Sequence, residues 1–186
     1  MTPFEEVWEY VDKIPGSFTR LNAEKLYECA LRSDGQMVEV GVDQGRSASV
    51  LMFAARHTGA SIFLVDSWRS LLAANERKVA DRFGADFRGV KWSICNAPSI
   101  EAAALVNGHI QFSLIHIDAD HYDDAPGEDC EAWLPKLKAG GFACFHDYGR
   151  TCGEPFVAVD EAVNKYTAGW EDLGTWECLG IRRKPC

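Results

Sequence analysis

Met37-Val-Glu39-Val-Gly41-Val-Asp43-Gln-Gly45-Arg-Ser47 is the stretch that decides how this chain folds. Its first four residues read as a strand. Residues 41–45 form a short loop with glycine at each end, and residues 47–57 read as a helix. Glycine lets the backbone turn sharply and approach a ligand closely. The free amides at the head of the next helix place partial positive charge at the same point. Strand, glycine loop and helix in that order open a βα unit.

The alternation continues downstream. Residues 61–65 form a second apolar strand that ends at Asp66, and residues 70–84 a polar helix. Residues 90–94 are a third strand, and Pro98 opens a helix that runs to residue 106. Residues 112–117 are a fourth strand. A helix over residues 127–137 presents Cys130, Trp133, Leu134 and Leu137 on one face. Lys138-Ala-Gly-Gly141 reads as a turn, residues 142–145 as a fifth strand and residues 155–166 as a helix. Two short strands over 170–173 and 176–181 form a hairpin. Upstream, Thr2 is placed to cap a helix with Pro3 at its first position. That helix carries Phe4, Val7, Trp8, Val11 and Ile14 at helical spacing and ends at Pro15-Gly16, and residues 22–31 form a second helix. Five repeats of strand and helix predict a three-layer α/β domain with a mostly parallel sheet, right-handed crossovers and a C-terminal antiparallel hairpin. Residues 1–35 are read as an N-terminal helical segment, a cap or a dimer contact, on a single domain whose main body is residues 36–186.

Composition narrows the function. The 186 residues contain 47% hydrophobic and 25% charged residues, as in ordinary globular domains. A formal net charge of −9 disfavours a nucleic-acid or anionic-membrane partner. The first residues, Met1-Thr-Pro-Phe-Glu-Glu-Val, have neither a basic head nor an apolar run, and no stretch approaches a membrane span. The seven cysteines are scattered without a Cys-x-x-Cys pair. Buried, reduced thiols in a cytoplasmic protein are therefore expected rather than disulfides or a zinc site.

Chemistry concentrates where two apolar runs break. Leu114-Ile-His116-Ile-Asp118-Ala-Asp120-His121-Tyr122 and Phe145-His146-Asp147-Tyr148 place carboxylates and imidazoles at the ends of neighbouring strands, where parallel sheets bind ligands. Asp118 and Asp147 are hard oxygen donors suited to Mg²⁺, and an imidazole such as that of His146 also admits Mn²⁺, Fe²⁺ or Zn²⁺. Asp66, about twenty residues after the glycine loop, is placed to accept ribose hydroxyls. His116 alternates with Asp118 inside the strand and reads as a core histidine. Asp120 reads as a turn cap, and His57 and His109 as solvated. Glu128, Asp129 and Glu131 read as the first turn and solvated face of a helix. Trp68 is placed either to cover an adenosine or to anchor a helix.

Glu39-Val-Gly-Val-Asp-Gln-Gly-Arg-Ser47 and the strand ending in Asp66 together resemble motif I and the ribose-binding acid of class I S-adenosylmethionine-dependent methyltransferases. Asp118-Ala-Asp-His-Tyr122, Trp133-Leu-Pro-Lys-Leu-Lys-Ala-Gly-Gly141 and Phe145-His-Asp-Tyr148 look like the metal-dependent O-methyltransferases of the macrocin and mycinamicin type, a family that includes the cephamycin-pathway enzyme called a hydroxylase. The resemblance covers about residues 36–166. It implies a Rossmann-like methyltransferase fold and a cofactor site formed by Glu39, Gly41, Asp43, Gly45 and Ser47. Asp66, Ser67 and Asp118 would complete that site, with Asn96 or Ala97 at the adenine edge. It further implies a divalent metal, Mg²⁺ or Mn²⁺, on Asp118, His146 and Asp147, with histidine where the family carries an acid at position 146. His121 falls where the family places its general base, an imidazole suited to take a proton near neutral pH. The acceptor would be a hydroxylated small molecule: a sugar, a phenol or a natural product. The first two helices, residues 68–90 and residues 149–155 would form its pocket, and a homodimer is compatible with the apolar first helix.

Other readings account for fewer of these residues. A metal-dependent glycosyltransferase using Asp118-x-Asp120 leaves Glu39 and the glycine loop without a role. A non-haem iron oxygenase using His116-x-Asp118 belongs on antiparallel β-helices. A dinucleotide oxidoreductase requires a third loop glycine. A degenerate Rossmann-like binding module would hold cofactor without turnover.

Overall fold

The computed structural model describes residues 2–68, 73–150 and 154–186. Seven helices and seven strands alternate along it: α1 (Phe4–Val11), α2 (Arg20–Leu31), β1 (Met37–Val40), α3 (Arg46–Thr58), β2 (Ser61–Asp66), α4 (Ala73–Asp86), β3 (Lys91–Asn96), α5 (Ser99–Leu105), β4 (Phe112–Ile117), α6 (Ala125–Trp133), β5 (Leu137–Phe145), α7 (Val157–Tyr166), β6 (Glu171–Trp176) and β7 (Leu179–Arg183). One seven-stranded sheet has the order β3-β2-β1-β4-β5-β7-β6. The first five strands are parallel, and β7 joins β5 and β6 antiparallel. Every residue of β1 and β4 is buried, because helices cover both faces. One face packs Val7, Leu26, Leu51 and Phe83 from α1 to α4, and the other packs Ala102, Trp133 and Val163 from α5 to α7. This is the three-layer Rossmann-like methyltransferase architecture expected, with the C-terminal hairpin folded into the sheet. The strand order reverses between β1 and β4, and ligands enter sheets of this kind at the carboxyl ends of such a pair.

Several boundaries move, each for a local reason. Thr2 does not cap α1; Pro3 occupies the cap position without a side-chain bond, while the Thr2 hydroxyl and amide go to His57 Nε2 at 2.9 and 2.8 Å. α2 starts earlier than expected because Thr19 and Asn22 form a reciprocal capping box. Lys138–Gly141 is not a free turn. β5 runs through it, with Gly140 at φ 70° and a register shift against β4 between Phe112 and Leu114, so the glycine pair bulges the strand without ending it. α6 ends at Trp133, and residues 134–136 tighten into a 3-10 turn around Pro135. The N-terminal helices are part of the main packing: Val7 and Val11 are fully buried and Phe18 is 3% exposed, with α2 lying along α3. Among the described residues, no helix is long and apolar enough to cross a membrane.

Candidate active site

Gly41 leaves β1 at φ 90° and passes so close to the end of β4 that a Cβ there would lie 1.9 Å from the Asp118 carbonyl oxygen. Only glycine permits that approach. The loop then turns through Asp43 (φ 44°) and Gly45 (φ 79°) into α3. Asp66 braces it. One Asp66 oxygen accepts the Val42 and Asp43 amides, each at 2.8 Å, and the other accepts the Trp68 amide at 2.8 Å. Trp68 is 2% exposed, and its indole N–H donates to the Asp43 carbonyl at 2.8 Å. It is therefore a loop anchor in the core and not a cover for adenosine. Beneath the loop, Glu39 and His116 are fully buried and bonded to each other, Oε1 to Nδ1, at 3.0 Å. Burial pushes the Glu39 carboxyl up against the lowering effect of His116.

A cavity of about 530 Å³ opens at these strand ends. Gly41, Asp43, Ser47, Asp66, Ser67, Asp118 and His121 line it, together with Pro98, Ser99 and Ile100 at the head of α5 and Asp129 from α6. Glu39, fully buried, and Gly45, packed against Phe83 and Val79, are not among its lining residues. Asn96 and Ala97 do not line it either; the Asn96 amide donates to Glu76, and the Ala97 N–H goes to the Asp66 carbonyl at 3.1 Å. Asp129, expected on a solvated helix face, is instead 4% exposed. The sequence reading also missed the opposite wall, Pro15 to Phe18. Arg46 holds that wall, donating to the carbonyls of Phe18 (2.8 Å), Asp12 (3.3 Å) and Ile14 and to the Asp12 carboxylate (3.0 Å). An arginine directly after a glycine loop was the available signal. Arg46→Ala is expected to destabilise the chain by about 2 kcal/mol, a fall in Tm of about 4–8 °C. Limited proteolysis should then cut within residues 12–18, and an unchanged digestion pattern would contradict this role.

The acid and imidazole groups gather at the ends of β4 and β5. β4 delivers Asp118. Past β5 the chain turns through Asp147 at φ 59°, a left-handed conformation that aspartate tolerates, and this swings Asp147 back beside Asp118. His121 Nε2 lies 2.8 Å from Asp147 Oδ2 and 3.7 Å from Asp118 Oδ1. His146 Nδ1 lies 3.1 Å from Asp118 and 3.0 Å from Asp147, while its Nε2 meets Cys178 Sγ at 3.3 Å. Phe156 stacks on the His121 ring at 4.8 Å, and Phe18 packs on His146 at 5.2 Å. Burial alone would raise both aspartates, but the facing imidazoles outweigh it and hold each carboxyl below the usual range. Conversely, Asp118 and Asp147 lift His121 to about 9.

The cluster joins the four residues that the sequence named. Asp118, His121 and Asp147 offer donor atoms within 4.8 Å of one another, and His146 Nδ1 bonds both carboxylates. His146 also belongs to a second group with Asp147 and the Cys178 thiol, which sequence spacing could not reveal across 32 residues. Tyr122 is 64% exposed, and Tyr148 bonds Asn164 at 2.9 Å. Residues 69–72 and 151–153, where part of the expected acceptor wall falls, lie outside the described residues.

Known proteins share this architecture. The structure is similar to methyltransferase PaMTH1 of Podospora anserina, solved with S-adenosylhomocysteine, at TM-score 0.68 and 19% identity over 100% of this chain and 89% of that one. It is similar to an O-methyltransferase of Bacillus cereus in complex with the same molecule (TM-score 0.71, 14% identity, 97% and 89% covered). It is also similar to N-methyltransferase NodS of Bradyrhizobium japonicum (0.64, 14%, 97% and 99%). At such identities the likeness is one of fold, and the fold serves oxygen and nitrogen acceptors alike. No curated protein matches the sequence. The family model described as "Methyltransferase domain" matches residues 38–148, more than half of the chain. The chain therefore belongs to the methyltransferase-domain family and is an S-adenosylmethionine-dependent methyltransferase.

Proposed function

We propose that the chain transfers the methyl group of S-adenosylmethionine to a hydroxyl oxygen of a small molecule, with divalent-metal assistance of the kind the macrocin- and mycinamicin-type enzymes use. One observation carries this reading: His121, set between two carboxylates, borders the same cavity as the glycine loop and Asp66. An imidazole so placed accepts the hydroxyl proton as the oxygen attacks the sulfonium methyl. The new C–O bond forms as the C–S bond breaks, and the sulfur leaves as a neutral thioether that needs no acid. Holding the two reactants in line supplies most of the acceleration.

The residues present fit a divalent ion. His121 Nε2 is buried and makes no aligned hydrogen bond, although it lies 2.8 Å from Asp147. An ion held by the Asp118 and Asp147 carboxylates would leave that atom free to take the proton of a bound hydroxyl. Such a group supplies a lowered pKa for a bound hydroxyl. Carboxylate donors suit Mg²⁺ or Mn²⁺. His146 bonds and orients both carboxylates, as groups bonded to metal ligands commonly do.

Chelation tests this directly. Treatment with EDTA is expected to lower kcat/KM by about 10–100-fold, the loss found when metal sites are disturbed, and Mn²⁺ or Mg²⁺ should restore it. Activity unchanged in EDTA would remove the metal and leave His121 as the base alone. A protein that binds S-adenosylhomocysteine yet methylates no hydroxylated acceptor would instead support the binding-module reading.

A further inference from the structure

Around His121 stand side chains that the methyl-transfer step itself does not use. Phe156, the cap residue of α7, lies against two charged or ionisable groups. The His121 ring stacks on it with centroids 4.8 Å apart, and the Arg150 guanidinium carbon sits 4.9 Å from its centroid. The shared ring keeps Arg150 within one small molecule's length of the imidazole. Tyr122 meets Phe156 edge-on at 5.6 Å, yet is 64% exposed, and Val157 is exposed too. Large apolar groups left in water beside a reacting group mark a surface that a ligand covers.

The backbone leading to Arg150 is tied to α7. The Tyr148 hydroxyl donates to Asn164 at 2.9 Å, and the Gly149 N–H donates to the Asp160 carboxylate at 2.7 Å. The guanidinium itself has no counter-ion. Among the described residues, the arginines and lysines in ion pairs are Arg20, Lys25, Arg46, Lys138, Arg182 and Arg183. Residues 69–72 and 151–153, outside the described ones, contain no Asp or Glu. They therefore supply no carboxylate either.

The cavity, by contrast, is acidic. Asp43, Asp66, Asp118, Asp120, Glu128 and Asp129 line it, and its Arg46 is engaged with residues 12–18. An anion entering these surroundings is repelled unless a free cation meets it, and Arg150 is a free cation placed beside the base. A guanidinium matches a carboxylate or a phosphate with paired N–H donors. On the reading that the site methylates a hydroxyl at His121, we propose that Arg150 selects the acceptor. It binds an anionic group, carboxylate or phosphate, on the same molecule whose hydroxyl faces His121, with the acceptor's ring against Tyr122.

Two pairs of rings that differ in charge test this: 3-hydroxybenzoate against 3-hydroxybenzamide, and glucose 6-phosphate against glucose. The quantity measured is kcat/KM for methyl transfer from S-adenosylmethionine with Mg²⁺ present, in the wild-type chain, Arg150→Gln and Arg150→Lys. The wild-type chain is expected to favour the charged member of at least one pair by about tenfold or more, as a hydrogen bond to a charged group provides. The pair that responds tells carboxylate from phosphate. In Arg150→Gln the ratio should fall below about threefold. Arg150→Lys, which keeps the charge without the planar fork, should fall between the two. S-adenosylhomocysteine affinity, the check that each variant is folded, should change by less than about threefold. Equal or faster rates with the neutral rings in the wild-type chain, or a preference unaltered in Arg150→Gln, would overturn the proposal and leave hydroxyl methylation standing. No methyl transfer to any of the four, with S-adenosylhomocysteine still bound, would overturn both.

Discussion

Gly41→Ala is expected to abolish cofactor binding and to destabilise the chain by about 4 kcal/mol or more, the range reserved for a steric conflict that the core cannot relieve. The added Cβ would lie 1.9 Å from the Asp118 carbonyl oxygen and 2.4 Å from its carbon, both backbone atoms of the neighbouring strand. The φ of 90° adds conformational strain for any residue with a side chain. Relief would require β1 and β4 to separate where the Asp118 N–H bonds the Val40 carbonyl at 2.8 Å. For a chain of this length the fall in Tm should be about 8–16 °C. Gly59→Ala is the control: that glycine also has positive φ (71°), but nothing lies within 4 Å of its added Cβ, so a loss of about 1–2 kcal/mol is expected from strain alone. Equal effects at the two positions, or S-adenosylhomocysteine binding retained by Gly41→Ala, would show that the close approach is not what makes the loop.

The same contact explains what the sequence could and could not convey. The glycine loop, the strand ending in Asp66 and the break at Asp118 are local patterns, and each survives as a local structure. The apolar run at 112–117 was likewise legible as a strand, and all six of its residues are buried. Partners distant in the chain were not legible. Arg46 reaches 28 to 34 residues back to the 12–18 segment. Asp129 looked like a helix-surface acid because α6 shows weak amphipathic order, with Glu128 and Glu131 beside it. Only the packing of α6 against α5, through Ser99 and Trp133, buries it. Trp68 was read from its position beside Asp66, but its destination, the Asp43 carbonyl, depends on how far the loop folds back. In each case the missing information is a tertiary contact that no propensity encodes.

His121→Ala is expected to lower kcat by about 10²–10⁴-fold, the usual contribution of a positioned proton acceptor, while S-adenosylhomocysteine affinity changes by less than about threefold. The split follows from the contacts: His121 faces Asp118 and Asp147 and takes no part in the bonds by which Asp66 braces the glycine loop. Its pH dependence follows from the same neighbours. The Asp118 and Asp147 carboxylates raise the imidazole to about 9 from its ordinary 6.5. The proton thus favours the folded state below about 6.5, and that stabilisation is lost as pH rises through about 9. A base must be neutral, so activity in EDTA should run the opposite way and climb with pH to a plateau above about 9. An ion on the Asp118 and Asp147 carboxylates offsets their hold on that proton, and saturating Mn²⁺ should shift the rising limb to lower pH. In His121→Ala the limb should vanish, leaving a flat and low residual rate. A limb that persists in the variant would assign the titration to another group. A variant that retains more than about a third of wild-type kcat would remove His121 from proton transfer altogether.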